Sequence, residues 1–133
     1  MIRDMDLIRS LALKIEASEE PVDSDAISIE GRSPEEMIYH VRLMVEADLV
    51  VAADLTTRHG ARYLVARLSW KGHDFVEAAK NDSIWGRIKT VTKDRGVALS
   101  LDALVAVLKK AGEWTLQHGQ GWISSTNLTF PWA

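Results

Sequence analysis

Residues 33–50, SPEEMIYHVRLMVEADLV, constrain the chain more than any other stretch. Ser33, Pro34 and Glu36 write a capping box, in which the Ser33 hydroxyl accepts from the Glu36 amide and the Glu36 carboxylate accepts from the Ser33 amide. Proline at the first helical position gives up no hydrogen bond, because that amide has no partner inside the helix. Glu35 and Glu36 add negative charge at the positive end of the helix dipole. Met37, Ile38, Val41, Met44 and Val45 recur at spacings of three and four, so they predict one buried stripe. Tyr39, His40, Arg42 and Glu46 lie mostly off that stripe. Asp48 falls where the helix must stop and tolerates the left-handed conformation that such a stop requires.

The helix runs directly into a predicted hairpin. Residues 50–55 are valine-rich and read as a strand, and Thr56-Thr57-Arg58-His59-Gly60 reads as a turn with Gly60 free to take a positive φ. Residues 63–68 resume a strand, with Tyr63, Val65 and Arg67 on one face and Leu64, Ala66 and Leu68 on the other. Before the Ser33 helix, residues 4–17 form a helix whose inner face is Met5, Ile8, Leu11, Ala12 and Ile15, widened by Leu7. Pro21 ends it. An acidic loop over 22–26 precedes Ile27-Ser28-Ile29, which alternates like a short strand.

After the hairpin, Ser69 caps a helix through Lys80, with Trp70, His73, Phe75, Val76 and Ala79 facing inward. Asn81-Asp82-Ser83 caps another, carrying Ile84, Trp85, Ile88 and Val91 and ended by Gly96. Ser100 caps the last, with Leu101, Leu104, Val105, Leu108 and Ala111 as its stripe. The organisation expected is a domain over 1–80, a helical extension packed on it over 81–117, and an aromatic tail over 118–133.

Composition limits what such a chain can do. With 133 residues and 47% hydrophobic content, one real core is possible. No cysteine is present, which excludes disulfides and thiolate metal sites, and His40, His59, His73 and His118 make no HxxxH pair. No phosphate-binding loop, dinucleotide fingerprint or nucleophile elbow occurs, so no metal or cofactor is expected and an enzyme is the least supported class. The opening lacks a signal-peptide pattern and no apolar run reaches membrane-spanning length, so the expectation is a cytoplasmic protein. The net charge is −3 and unevenly spread. Residues 1–29 carry three basic and seven acidic side chains, residues 30–70 five and six, and residues 71–133 eight and six.

The order helix, short strand, helix, hairpin, helix resembles that of winged-helix regulators. His40-Val41-Arg42-Leu43-Met44 through Glu46-Ala47-Asp48-Leu49-Val50 is similar to their recognition helix running into the wing, with Asp48 where Gly is common. Leu68-Ser69-Trp70-Lys71-Gly72-His73 is similar to the segment that closes the wing. The opening Arg3-Asp4-Met5-Asp6-Leu7-Ile8-Arg9, Tyr39-His40, Trp70-Lys71-Gly72-His73 and Asp82-Ser83-Ile84-Trp85 together resemble an uncharacterised bacterial and phage family, a domain of unknown function. That resemblance covers roughly residues 1–110. It implies an α+β, winged helix-turn-helix-like domain with additional C-terminal helices, and often a mobile-element setting. One departure stands out: a standard helix-turn-helix has a scaffold helix before the recognition helix, and residues 21–32 leave space for at most a single turn.

Two functions follow as expectations. In the first, the chain binds double-stranded DNA as a transcriptional or mobile-element regulator, with Tyr39, His40 and Arg42 reaching the groove and Arg58, Arg62 and Arg67 clamping phosphate. In the second it is a non-enzymatic module binding a host or phage protein, which suits the acidic N-terminal third and the glutamates on the Ser33 helix. Arg87, Lys89, Lys93 and Arg95 form another basic run, more simply read as a solvated helix face. Trp114, Trp122, Phe130 and Trp132 lie in a segment with no Asp, Glu, Lys or Arg after Glu113. They are expected either to fold back over the chain's own core beside Trp70 and Trp85 or to pack on a second copy or partner, a homodimer interface being the favoured reading.

Overall fold

A computed structural model describes residues 1–94 and 100–118. The elements run α1 (Met5–Ala17), β1 (Val22–Asp23), α2 (Pro34–Glu46), β2 (Val50–Asp54), β3 (Tyr63–Leu68), α3 (Trp70–Ala79), α4 (Asp82–Asp94) and α5 (Leu101–His118). The chain is α+β, with an antiparallel sheet in the order β1-β3-β2. It divides into two compact units, Met1–Val76 and Glu77–Ala133, and the division falls within α3. Trp122, Phe130, Trp132 and the expected stop at Gly96 lie outside the described residues.

The helices begin where a side chain can satisfy their orphan amides. Asp4 accepts from Asp6 and Leu7 at the start of α1. At α2 both arms of the capping box are present, Ser33 Oγ accepting from Glu36 at 3.1 Å and Glu36 Oε1 from Ser33 at 3.4 Å. Ser69 accepts from Gly72, Asn81 from Ile84 and Ser100 from Ala103. α2 ends with Asp48 at φ 61°, its amide donating to Val45 and the Leu49 amide to Met44. This pair of bonds is a Schellman closure, and it turns the chain straight into β2.

In the first unit, α1 buries Leu7, Ile8, Leu11, Ala12 and Ile15. These face Met37, Val41 and Met44 of α2 and the inner residues of β3, Tyr63, Val65 and Leu68. In the second unit, α4 buries Ile84, Trp85 and Ile88, and α5 buries Leu104, Leu108 and Ala111, one face against the other. Val91, Leu101 and Val105, expected on those stripes, are half-buried.

Four expectations are corrected. Ile27-Ser28-Ile29 is not a strand; the short strand is Val22–Asp23 in the stretch expected to be a loop, paired Val22 with Val65 and Asp23 with Leu64. Ser24 fastens it, its amide donating to the Tyr63 carbonyl at 2.9 Å and its hydroxyl accepting from the Tyr63 amide at 3.0 Å. Those two bonds outweigh the apolar alternation five residues later. Leu68 lies on the inner face of β3 and Arg67 on the outer, because β3 carries one extra residue, Ala66, between the pairs Ala52–Val65 and Val51–Arg67. The bulge inverts the alternation for the rest of the strand. Trp70 and His73 are exposed rather than inward, leaving Phe75, Val76 and Ala79 as the buried residues of α3. His40, expected off the stripe of α2, is buried at 1% exposure.

Candidate functional site

The hairpin and α2 carry all six residues singled out for nucleic acid, and the structure treats them differently. Beyond β2 and β3 the hairpin continues with Leu55 bonded to Arg62 and Thr57 exchanging both bonds with Gly60, so Arg58 and His59 form its tip. The tip residues keep negative φ, and the reversal is completed at Gly60, whose φ is 139°. Arg58 and His59 are exposed. Arg58 makes no ion pair among the described residues.

Arg62, cross-strand from Leu55 and exposed, is paired within the chain. Its guanidinium holds Asp23 through Nη2 and Nε, and Nε lies 3.4 Å from Asp25. The hydrogen bond from Arg62 is the main reason the Asp23 carboxyl sits below its ordinary range. This pairing ties the hairpin to β1 and occupies the charge that a phosphate would need. Arg67 donates from Nη1 to the Leu68 carbonyl at 3.0 Å. On α2, Arg42 lies 3.7 Å from Glu46 in an exposed pair one turn apart.

His40 is a structural residue. Its Nε2 accepts from the Asp4 amide at 2.9 Å, and an amide can only donate, so the ring proton is on Nδ1 and is given to the Glu36 carbonyl at 2.7 Å. Tyr39 packs half-buried with its ring edge-on to the imidazole, 5.3 Å between centroids. Around this contact Arg32 reaches Asp4 at 2.7 Å and Glu36 at 3.2 Å, joining the starts of α1 and α2. Burial pushes the Asp4 carboxyl up. The bond and charge of Arg32, with the Leu7 and Asp6 amides, outweigh it and leave the group below its ordinary value. The spacing from Met37 to His40 to Met44 placed His40 on the stripe all along; its polarity obscured that.

The sheet brings a different set of residues together. Val51, Ala53 and Leu55 point outward along β2 and its extension, and Leu64 and Ala66 along β3. Val51, Leu55 and Leu64 are each about two-fifths exposed, and Trp70, just past the end of β3, is 85% exposed. The signal for this surface was present in the apolar residues at alternate positions on both sides of the turn. No group of three His, Asp or Glu side chains suited to a metal ion occurs among the described residues, and no described helix is long and apolar enough to cross a membrane.

Residues 2–98 match the family described as hypothetical protein (DUF2513). The chain belongs to that family. It is also 34% identical over 110 residues to a protein of Haemophilus influenzae titled uncharacterized protein, an alignment covering 80% of this chain and 92% of the relative. No solved structure matches the chain.

Proposed function

We propose that this DUF2513 chain is a winged-helix scaffold used as a non-enzymatic protein-interaction module, with β2–β3 as the wing and the outer face of the wing as the contact surface. The succession of α1, β1, α2 and hairpin, with β1 beside β3, supports the winged-helix reading. The observation that carries the function is the character of the wing. Its outer face exposes Val51, Ala53, Leu55, Leu64 and Ala66 between Asp23 and Arg67, and Arg62 beside them is held by two aspartates of the same chain. Across residues 1–76 there are fourteen acidic against nine basic side chains, a balance that repels a polyanion. Apolar residues exposed together on one face are the usual anchors of a protein interface, and an exposed tryptophan, Trp70, follows at the end of β3. A host or phage protein is the partner class this suits.

Double-stranded DNA binding is the second reading, favoured by the Arg58-His59 tip. It lacks a scaffold helix, since no helix lies between α1 and α2. Fluorescence anisotropy with duplex DNA at two salt concentrations separates the two. The interaction-module reading expects no salt-sensitive binding. A log–log salt slope that shallows by about 0.9 in Arg58→Ala would instead mark a lost phosphate contact and give DNA the first place. Cross-linking and mass spectrometry in the native host should then identify a protein whose capture is lost in Leu64→Lys and Trp70→Ala. Capture unchanged by both substitutions counts against the wing face.

A further inference from the structure

Among the described residues the sheet ends on β2, and that edge has an orientation fixed by the hairpin bonds. The Leu49 carbonyl accepts from Ser69, the Leu55 amide donates to Arg62, and Thr57 exchanges bonds with Gly60. Backbone groups alternate sides along a strand. The N–H and C=O groups of Val50, Ala52 and Asp54 therefore point away from β3. Asp54 closes the edge at one end, its carboxylate accepting from the Thr56 amide at 2.9 Å. Between the two ends the sequence is Val-Val-Ala-Ala, with none of the lysines, prolines or bulges that ordinarily blunt an edge. The bulge of this sheet is on β3 instead.

We propose that this edge pairs antiparallel with the same edge of a second copy, about a twofold axis at Ala52, to make a continuous six-stranded sheet. The arrangement is isologous, so the edge must complement itself. Ala52 exchanges both backbone bonds with Ala52 of the second copy, and Val50 with Asp54 at each end. Asp54, the one charged residue of the strand, meets valine and not its own equivalent. Outward, Val51 lies beside Ala53 of the second copy. Each row across the joined sheet thus runs Asp23, Leu64, Ala53, then Val51 and Arg67 of the other copy, acid at one rim and base at the opposite one. The axis also reverses α2. The Thr56 hydrogen bonds, with the charge of Arg42 added, hold the Asp54 carboxyl below its ordinary value. Because Asp54 pairs with Val50 of the second copy, the Arg42 end of one α2 is brought toward the Glu46 end of the other. Both side chains are about three-fifths exposed and paired with each other at only 3.7 Å, so they are free to exchange partners across the axis. This charge complementarity selects a second copy as the occupant of the edge.

The experiment is sedimentation equilibrium on the full chain from micromolar to about a hundred micromolar, with two variants. Wild type should shift from one to two chains across that range. Ala52→Pro should stay monomeric with an unchanged circular dichroism spectrum, because its lost N–H points away from β3, where an edge tolerates proline. Ala53→Lys keeps the backbone and should raise the dissociation constant at least tenfold; it decides the matter if the proline variant does not fold. A wild-type chain monomeric throughout overturns the proposal. So does a dimer that survives Ala53→Lys, which would direct attention to the aromatic run from Trp114. Sedimentation of the purified chain reads the dimer with no foreign partner present. Ala52→Pro leaves the outer-face side chains in place, so partner capture is compared in that variant and not in Ala53→Lys, whose lysine stands beside Leu64.

Discussion

Gly72 and Asp48 sit on either side of one junction, and each has a local preference that tertiary geometry either overrules or accepts. A Cβ on Gly72 would lie 2.0 Å from the Leu49 carbonyl oxygen, which already accepts from the Ser69 amide. Helix propensity alone favours alanine there by about 1 kcal/mol. Forcing the backbones apart costs about 1–3 kcal/mol, and the obstacle is main chain that cannot rotate aside. Gly72→Ala should therefore lower the urea midpoint, and a higher midpoint would mean that α3 can move away from the α2–β2 turn. Asp48 presents the opposite case, since its positive φ is compatible with its own chemistry and better suited to glycine. The expected order of midpoints is Gly at or above Asp, with Asp48→Val lower by about 1–2 kcal/mol for a β-carbon in the left-handed region. A valine variant as stable as wild type would show that the Schellman closure can be rebuilt with a negative φ.

At the scale of an element, β3 illustrates how one residue decides which face a strand presents. Strict alternation puts Leu68 outside with Leu64; the bulge at Ala66 brings it inside at 1% exposure. Removing Ala66 leaves Val65, Arg67 and Leu68 as inward, outward and inward, which is what a regular ladder with Ala52, Val51 and Val50 requires. That deletion should be tolerated, with a single cooperative thermal transition. Removing Leu64 instead should not be, because a slip of one residue carries buried side chains to the wrong face. Unfolding of the Ala66 deletion together with an intact Leu64 deletion would overturn the register argument.

For the whole molecule, electrostatics serves cohesion before recognition. Asp4, Asp23, Glu36 and Asp54 all have carboxyls held below their ordinary values. For Glu36 the leading cause is the Ser33 amide, followed by Arg32. A carboxyl whose folded value is depressed stabilises the fold above its unfolded pKa, and that contribution is lost as pH falls through the folded one. Stability should thus hold near neutrality and decline below about pH 4. Arg32→Ala, which removes the partner shared by Asp4 and Glu36, should lower stability at pH 7 and flatten the acid decline. Urea melts at pH 7 and pH 3 test this, and an equal loss at both would show that Arg32 acts through packing and not through charge.

The sequence by itself determined the local features: helix starts at Ser33, Ser69, Asn81 and Ser100, the helix stop at Asp48, and the position of the hairpin. Each depends on interactions within about four residues, so the chemistry is written in adjacent side chains. The resemblance to an uncharacterised domain of unknown function was legible too. The tertiary structure alone decided what lies between distant residues. It buried His40 by offering the Asp4 amide, 36 residues away, as its second partner. It spent Arg62 on Asp23, 39 residues away, and chose Val22–Asp23 as the third strand through Ser24 and Tyr63. A polar side chain reads as exposed until a distant partner is known, because burying it is costly only when its hydrogen bonds go unmade. That is why His40 reads as exposed in the sequence although the fold buries it, and why the pairing of Arg62 with Asp23 shows only in the tertiary structure.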